Sequence, residues 1–191
     1  MTLSWAKPCT VDMPTLTLMG GPFFDNVKAW VTFLYGPRDP ILTPAGWTGD
    51  FHYGLDLWPE GFGDGTGCLL LALGDGKVTH IWDDPAGMGN AVEVEYVFGG
   101  KLYAVRYLHM NTPAFATVGD LVHAGAFLGM VGSTGMANGA HLHMEVRVTD
   151  NFYIQDPLLF LLDCPDIGEV IDLKAPLVAR IKADVDTLAT M

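Results

Sequence analysis

His52 and Asp56, His109, and His141 and His143 stand in three short segments of this chain: His52-Tyr53-Gly54-Leu55-Asp56, Tyr107-Leu108-His109 and His141-Leu142-His143. Imidazole and carboxylate are ligands for zinc, and a catalytic zinc site takes three protein ligands and keeps one position open for water. Two histidines and one carboxylate suffice for that set. Two further histidines then remain for proton transfer and for stabilising an oxyanion.

The elements that must position these groups can be read from alternation. Gly139-Ala140-His141-Leu142-His143-Met144-Glu145-Val146-Arg147-Val148 alternates and ends in β-branched residues, a strand pattern. The two imidazoles then share one face with Glu145, while Leu142, Met144 and Val146 share the other. His52 and Asp56 are four residues apart, which keeps them on one side, and Gly54 between them allows a bend or a close backbone approach. His109 ends the alternating run 101–109 and so is expected on the face of Val105 and Tyr107, projecting from the strand end into a cleft. Tyr107 is read as a half-buried strand tyrosine. Glu145 is open to two readings, an orienter of a metal ligand or a solvent-facing carboxylate near a strand end. His80 and His123 have no partner at ligand spacing and are read as surface or structural.

Taken together, these segments resemble the signatures of the lysostaphin-type (LytM-like) zinc metalloendopeptidases. The stretch from Val118-Gly119-Asp120 to Gly132-Ser133-Thr134-Gly135 resembles that family's approach to its His-x-His strand, and the likeness covers residues 34–160. The resemblance implies Zn2+ as cofactor, with His52, Asp56 and His143 as its ligands and His109 and His141 as the catalytic, non-ligand histidines. It implies hydrolysis of peptide bonds in bacterial peptidoglycan, in stem peptides or cross-bridges, and an all-β fold, an antiparallel sheet or sandwich with zinc at the floor of a groove. Three positions depart from the family pattern: Met144 replaces an aromatic residue, Ala140 a proline, and Leu108 a small residue. None removes a ligand or a catalytic histidine. Either His109 or His141 could take a proton from the zinc-bound water, the other then donating to the oxyanion.

Composition bounds the remaining possibilities. The chain has 191 residues, half of them apolar, which is enough for a substantial core. No apolar run reaches the length of about 18 residues that spans a membrane. The first residues, Met1 to Cys9, lack the basic and apolar regions of an export signal, so the expectation is a bacteriophage protein, either a lysin or a virion-associated hydrolase. Its locations would be the phage virion (tail) or the host cytoplasm before lysis. A net charge of −12 argues against a nucleic-acid partner and gives no electrostatic attraction to anionic wall polymers. Binding must then come from the cleft or from a partner that holds the chain near the wall. The cysteines Cys9, Cys68 and Cys164 imply no disulfide framework; Cys68 reads as an inert core thiol, and a Cys9–Cys164 bridge stays open.

Gly- and Pro-rich punctuation separates many short strands, which favours an antiparallel sheet or sandwich. Three regions are expected: a segment 1–33 packed on the core, a peptidase domain 34–160, and an extension 161–191 whose residues 176–188 read as an amphipathic helix. That helix either docks on its own domain or serves as a handle for self-association or for other virion proteins. The alternative function is a virion structural, tail or wall-binding module that keeps the fold with little activity. A D-Ala-D-Ala carboxypeptidase or amidase fits the His-x-x-x-Asp spacing less well.

Overall fold

The computed structural model describes residues 15–18, 23, 27–149, 153–163 and 170–171. Residues 176–188, Cys9 and Cys164 lie outside them. In chain order the strands are β1 (Thr15–Leu18), β2 (Lys28–Phe33), β3 (Gly36–Pro37), β4 (Leu42–Thr43), β5 (Gly46–Trp47), β6 (Phe51–His52), β7 (Leu55–Pro59) and β8 (Leu69–Leu71). They continue with β9 (Gly76–Asp84), β10 (Gly89–Phe98), β11 (Lys101–Met110), β12 (Leu121–Val122), β13 (Phe127–Met130), β14 (Leu142–Val148), β15 (Tyr153–Gln155) and β16 (Val170–Ile171). A single short helix, α1 (Pro157–Asp163), is present among the described residues. It is not long enough to cross a membrane, and no other described helix exists to do so.

The fold is mostly antiparallel sheet. Its main layer has the order β12-β9-β10-β11-β14-β7-β2-β1-β16, with β15 paired to β14 beyond the reach of β7. The centre is a pair of long strands, β10 and β11, joined by Gly99-Gly100. Both glycines have positive φ, 55° and 76°, the requirement of a two-residue hairpin turn whose twist matches its strands. The boundary drawn between residues 33 and 34 falls at the end of β2, which pairs with β7.

Alternation sorts the two faces of the main layer. Val92, Val94 and Tyr96 of β10, Val105 and Tyr107 of β11, and Leu142, Met144 and Val146 of β14 are sealed in the core. Leu70 of β8 and Leu128 of β13 join the same core from a separate two-stranded sheet. Each such side chain contributes about 1.5–3 kcal/mol relative to exposure, so the layer forms a rigid floor. Cys68 is part of this core, where burial pushes its thiol up to about 11, as an inert structural cysteine requires.

Two expectations need correction. Tyr107 is fully buried rather than half-buried, and its hydroxyl lies 3.1 Å from that of Tyr96, which in turn accepts the Leu73 amide at 3.2 Å. The second concerns α1, which the sequence reading does not place. Asp156 caps it by accepting the Leu158 amide at 2.9 Å, Pro157 opens it, and Phe160 packs on Tyr103 with ring centroids 4.9 Å apart.

Candidate metal centre

Strand register sets the first three groups side by side. His143 on β14 is the cross-strand partner of Asp56 on β7. β6 ends at His52, the chain bends at Gly54, and β7 begins one residue later, which returns His52 to the same point. His52 Nε2 lies 3.1 Å from Asp56 Oδ1 and 3.0 Å from His143 Nδ1, and His143 Nδ1 lies 2.8 Å from Asp56 Oδ1. All three residues are buried. Gly54 is required by space: a Cβ there would come within 2.5 Å of His143 Nε2 and 2.7 Å of the Met144 carbonyl.

Hydrogen bonds behind the rings fix what the rings present. His52 Nδ1–H donates to the Leu34 carbonyl at 2.8 Å, so Nε2 of the neutral ring is an acceptor, and it faces a carboxylate oxygen. Burial alone would raise the Asp56 carboxyl, but the hydrogen bond from His143 and the charge of the nearby His143 and His141 imidazoles hold it well below the usual carboxylate range. Burial likewise disfavours a charged His143, yet Asp56 and Glu145 on either side raise it to about 9. Positive charge is thus demanded at the point where the three atoms meet. A proton serves one of these donors, whereas a divalent ion serves all three. In tetrahedral coordination with bonds of about 2.0–2.1 Å, ligand atoms stand about 3.3 Å apart, close to the separations observed. The donor set fits such an ion.

His109 reaches the same point by a different route. Between the pairs Asn90↔Met110 and Val92↔Tyr107 the register shifts, so that Leu108 and His109 together oppose Ala91. His109 has φ 62°, and no other described non-glycine residue has a positive φ. This bulge breaks the alternation: Tyr107 stays in the core, while Leu108 and His109 both line the cleft. The expectation that His109 shares a face with Tyr107 is therefore overturned, although its projection into a cleft is what the structure shows. Its Nδ1–H donates to the Thr134 carbonyl at 2.9 Å, which leaves Nε2 unprotonated in the neutral ring. Burial, with the charges of His143 and His141, pushes His109 down to about 3.

His141 is held in the same manner, with Nδ1–H donating to the Gly139 carbonyl at 2.9 Å. Its Nε2 lies 3.5 Å from Asp56 Oδ1, and its ring centroid is 5.2 Å from that of His109. His109, His141 and His143 also converge, with ligand atoms within 4.8 Å of one another, but that set has no carboxylate to offset a divalent charge. The structure thus brings all five predicted residues together.

Glu145 is not solvent-facing. Its Oε1 lies 3.6 Å from His143 Nε2, and its Oε2 accepts from Arg106 at 3.4 Å and Arg147 at 3.5 Å. Arg106 donates through Nε to Glu93 at 2.6 Å, and Glu93 also meets His80 at 2.9 Å. His80, Glu93, Arg106 and Glu145 are consecutive cross-strand partners on β9, β10, β11 and β14. Trp82 covers the row, stacked on His80 and under the Arg106 guanidinium at 4.9 Å. The sequence reading leaves this ladder out because it depends on long-range register. His123 is exposed beside Asp75, a surface residue as expected.

His52, Asp56 and His143 line an open cleft of about 650 Å³. Arg38, Tyr53, Met88, Met136 and Asn138 are among the residues that line it. Arg38 has no partner at a recognisable spacing and is absent from the sequence-derived candidates.

Two buried imidazoles and a buried carboxylate at the floor of an open groove, with two more imidazoles beside them, define a chain built to hold a divalent metal where a ligand can reach it. Residues 50–155, more than half of the chain, match Peptidase family M23, and this protein belongs to that family. It is 35% identical over 130 residues to glycyl-glycine endopeptidase ALE-1 of Staphylococcus capitis, covering 66% of this chain and 32% of that protein. The catalytic domain of the antimicrobial peptidase lysostaphin from Staphylococcus simulans has a similar fold, with TM-score 0.56 and 28% identity over 72% of this chain and 94% of that one. A zinc-containing peptidase from Vibrio cholerae is similar at TM-score 0.54 and 26% identity, covering 74% of this chain and 39% of that one. The chain spans between about a quarter and a third of the length of the first curated relatives it matches.

Proposed function

We propose that this protein is a zinc-dependent endopeptidase that hydrolyses peptide bonds in bacterial peptidoglycan, with residues 34–160 as its catalytic unit. The observation that carries this reading is the meeting of His52 Nε2, Asp56 Oδ1 and His143 Nδ1 within 3.1 Å of one another, beside two further imidazoles each anchored through Nδ1 to a backbone carbonyl. Membership of a peptidase family, the glycyl-glycine endopeptidase named among its relatives and the zinc-containing Vibrio cholerae peptidase support it.

His52, Asp56 and His143 would hold the zinc. Bound there, zinc supplies a Lewis acid for the scissile carbonyl and lowers the pKa of a bound water to about 7. His109 and His141 perform the proton work, their Nδ1–H bonds to Thr134 and Gly139 keeping each Nε2 aimed into the cleft. One Nε2 accepts a proton from the attacking water and later delivers it to the leaving amine. The other ring must carry a second proton, on Nε2, as an imidazolium; it then donates a hydrogen bond through Nε2 to the carbonyl oxygen as negative charge develops there.

The same proposal includes delivery. A net charge of −12 supports a carrier, because anionic wall polymers do not attract an acidic chain, and a phage particle or a lysin released at lysis meets that need. Other virion proteins, or a second copy engaged through residues 176–188, are partners within this reading.

Digestion of purified peptidoglycans of differing cross-bridge chemistry, followed by mass spectrometry of the released peptides, tests the proposal. It predicts new amino termini that vanish on chelation and in His141→Ala. No cleavage by a folded, stoichiometrically zinc-loaded chain would contradict it and favour a wall-binding or virion structural module.

A further inference from the structure

Arg38 stands in the cleft wall just after β3, its amide donating to the Asp50 carbonyl at 2.9 Å and its guanidinium 5.4 Å from the centroid of the Phe33 ring. Its Nε is sealed from solvent and forms no hydrogen bond within the protein. Among the described arginines, Arg106 engages Glu93 and Glu145, and Arg147 engages Glu145, whereas Arg38 has no carboxylate partner. This occurs in a chain with 22 acidic residues against 10 Lys and Arg. Among the described residues, Arg38 is also the only Lys or Arg lining the cleft that contains His52, Asp56, His109, His141 and His143. It is close enough for the Asp56 charge to act on it.

A half-buried guanidinium that lines the cleft without a carboxylate partner is left to a ligand for its neutralisation, and its planar fork suits a carboxylate. From the unpaired guanidinium of Arg38 in the cleft beside the His52–Asp56–His143 triad, we infer that the substrate peptide carries a free carboxylate close to the scissile bond, which Arg38 binds. This rests on the peptidase reading and narrows it to stem peptides, since the interior of an all-glycine bridge offers only neutral amides. The carboxylate has two possible sources, the carboxy terminus of a stem peptide or an acidic residue within it.

Two pairs of matched peptides separate these sources: one pair ends in carboxylate or carboxamide, and the other carries an internal acidic residue that is free or amidated. The zinc-loaded protein is assayed on both pairs beside Arg38→Gln and Arg38→Lys, with thermal melting to verify folding. Binding of the same peptides to zinc-loaded His141→Ala, with and without Arg38→Gln, is measured by calorimetry.

In at least one pair the free carboxylate should be preferred by about 10- to 100-fold in kcat/KM and in binding. That preference should vanish in Arg38→Gln and return in part in Arg38→Lys. Equal use of free and amidated peptides by the unmodified protein would overturn the inference, as would a preference that survives Arg38→Gln. Carboxylate-dependent binding without turnover of any peptide would sustain the role of Arg38 while contradicting the peptidase reading.

Discussion

Glu145 stands directly behind His143. Its Oε1 is 3.6 Å from the ring's Nε2, while Asp56 Oδ1 is 2.8 Å from Nδ1 on the other side. The imidazole is thus held between two carboxylates, one in the proposed ligand set and one outside it. A carboxylate behind a ligand imidazole fixes its tautomer and raises its basicity. Glu145→Gln keeps the shape and removes the charge. It should weaken zinc binding about 10- to 100-fold, measured by competition with a chromogenic chelator, and leave the circular dichroism spectrum unchanged.

Gly54 makes room for the same ring. Gly54→Ala drives a methyl group into His143 Nε2 and the Met144 carbonyl, so zinc affinity should fall at least as far as in Glu145→Gln. Gly49→Ala is the control. No atom lies within 4 Å of a Cβ there and its backbone needs no positive φ, so binding and melting temperature should not move.

Acid stability should depend on Glu93. Burial alone would raise this carboxyl, but hydrogen bonds and charge from Arg106, with Thr79 and His80, lower it below its ordinary value. Its contribution is therefore fully present above the unfolded pKa of about 4.3 and is lost as pH falls through the lower folded value. Glu93→Gln should cost about 2 kcal/mol at pH 7 and reduce the loss of stability between pH 5 and pH 3, both read from urea titrations. An unchanged acid limb would contradict the assignment.

His109 and His141 should separate metal binding from turnover. His109→Asn keeps a residue type that tolerates positive φ, and so preserves the bulge. It should retain one zinc per chain and lose about 10²- to 10⁴-fold in kcat. His141→Ala should behave alike. Loss of zinc from either variant would place that histidine among the ligands.

The cluster of five candidate residues was legible because their types are uncommon and their spacing is local: His-x-His on a strand, and His and Asp astride a glycine. The strand-rich fold was legible from alternation and from turns such as Gly99-Gly100. What escaped depends on register. Glu93, Arg106 and Glu145 are 13 and 39 residues apart and meet only because β10, β11 and β14 align. The bulge at His109 left no trace in the alternating run 101–109, since a single extra residue changes the face without changing the pattern. Arg38 carried no signal either, because its significance is the absence of a partner.

In the proposed site His52, Asp56 and His143 hold the metal while His109 and His141 stay free of it. Anomalous diffraction at the zinc edge from zinc-loaded crystals tests this most directly. The predicted result is one peak about 2.0–2.2 Å from His52 Nε2, Asp56 Oδ1 and His143 Nδ1 together. A peak instead among His109, His141 and His143, or none at full zinc occupancy in solution, would contradict it.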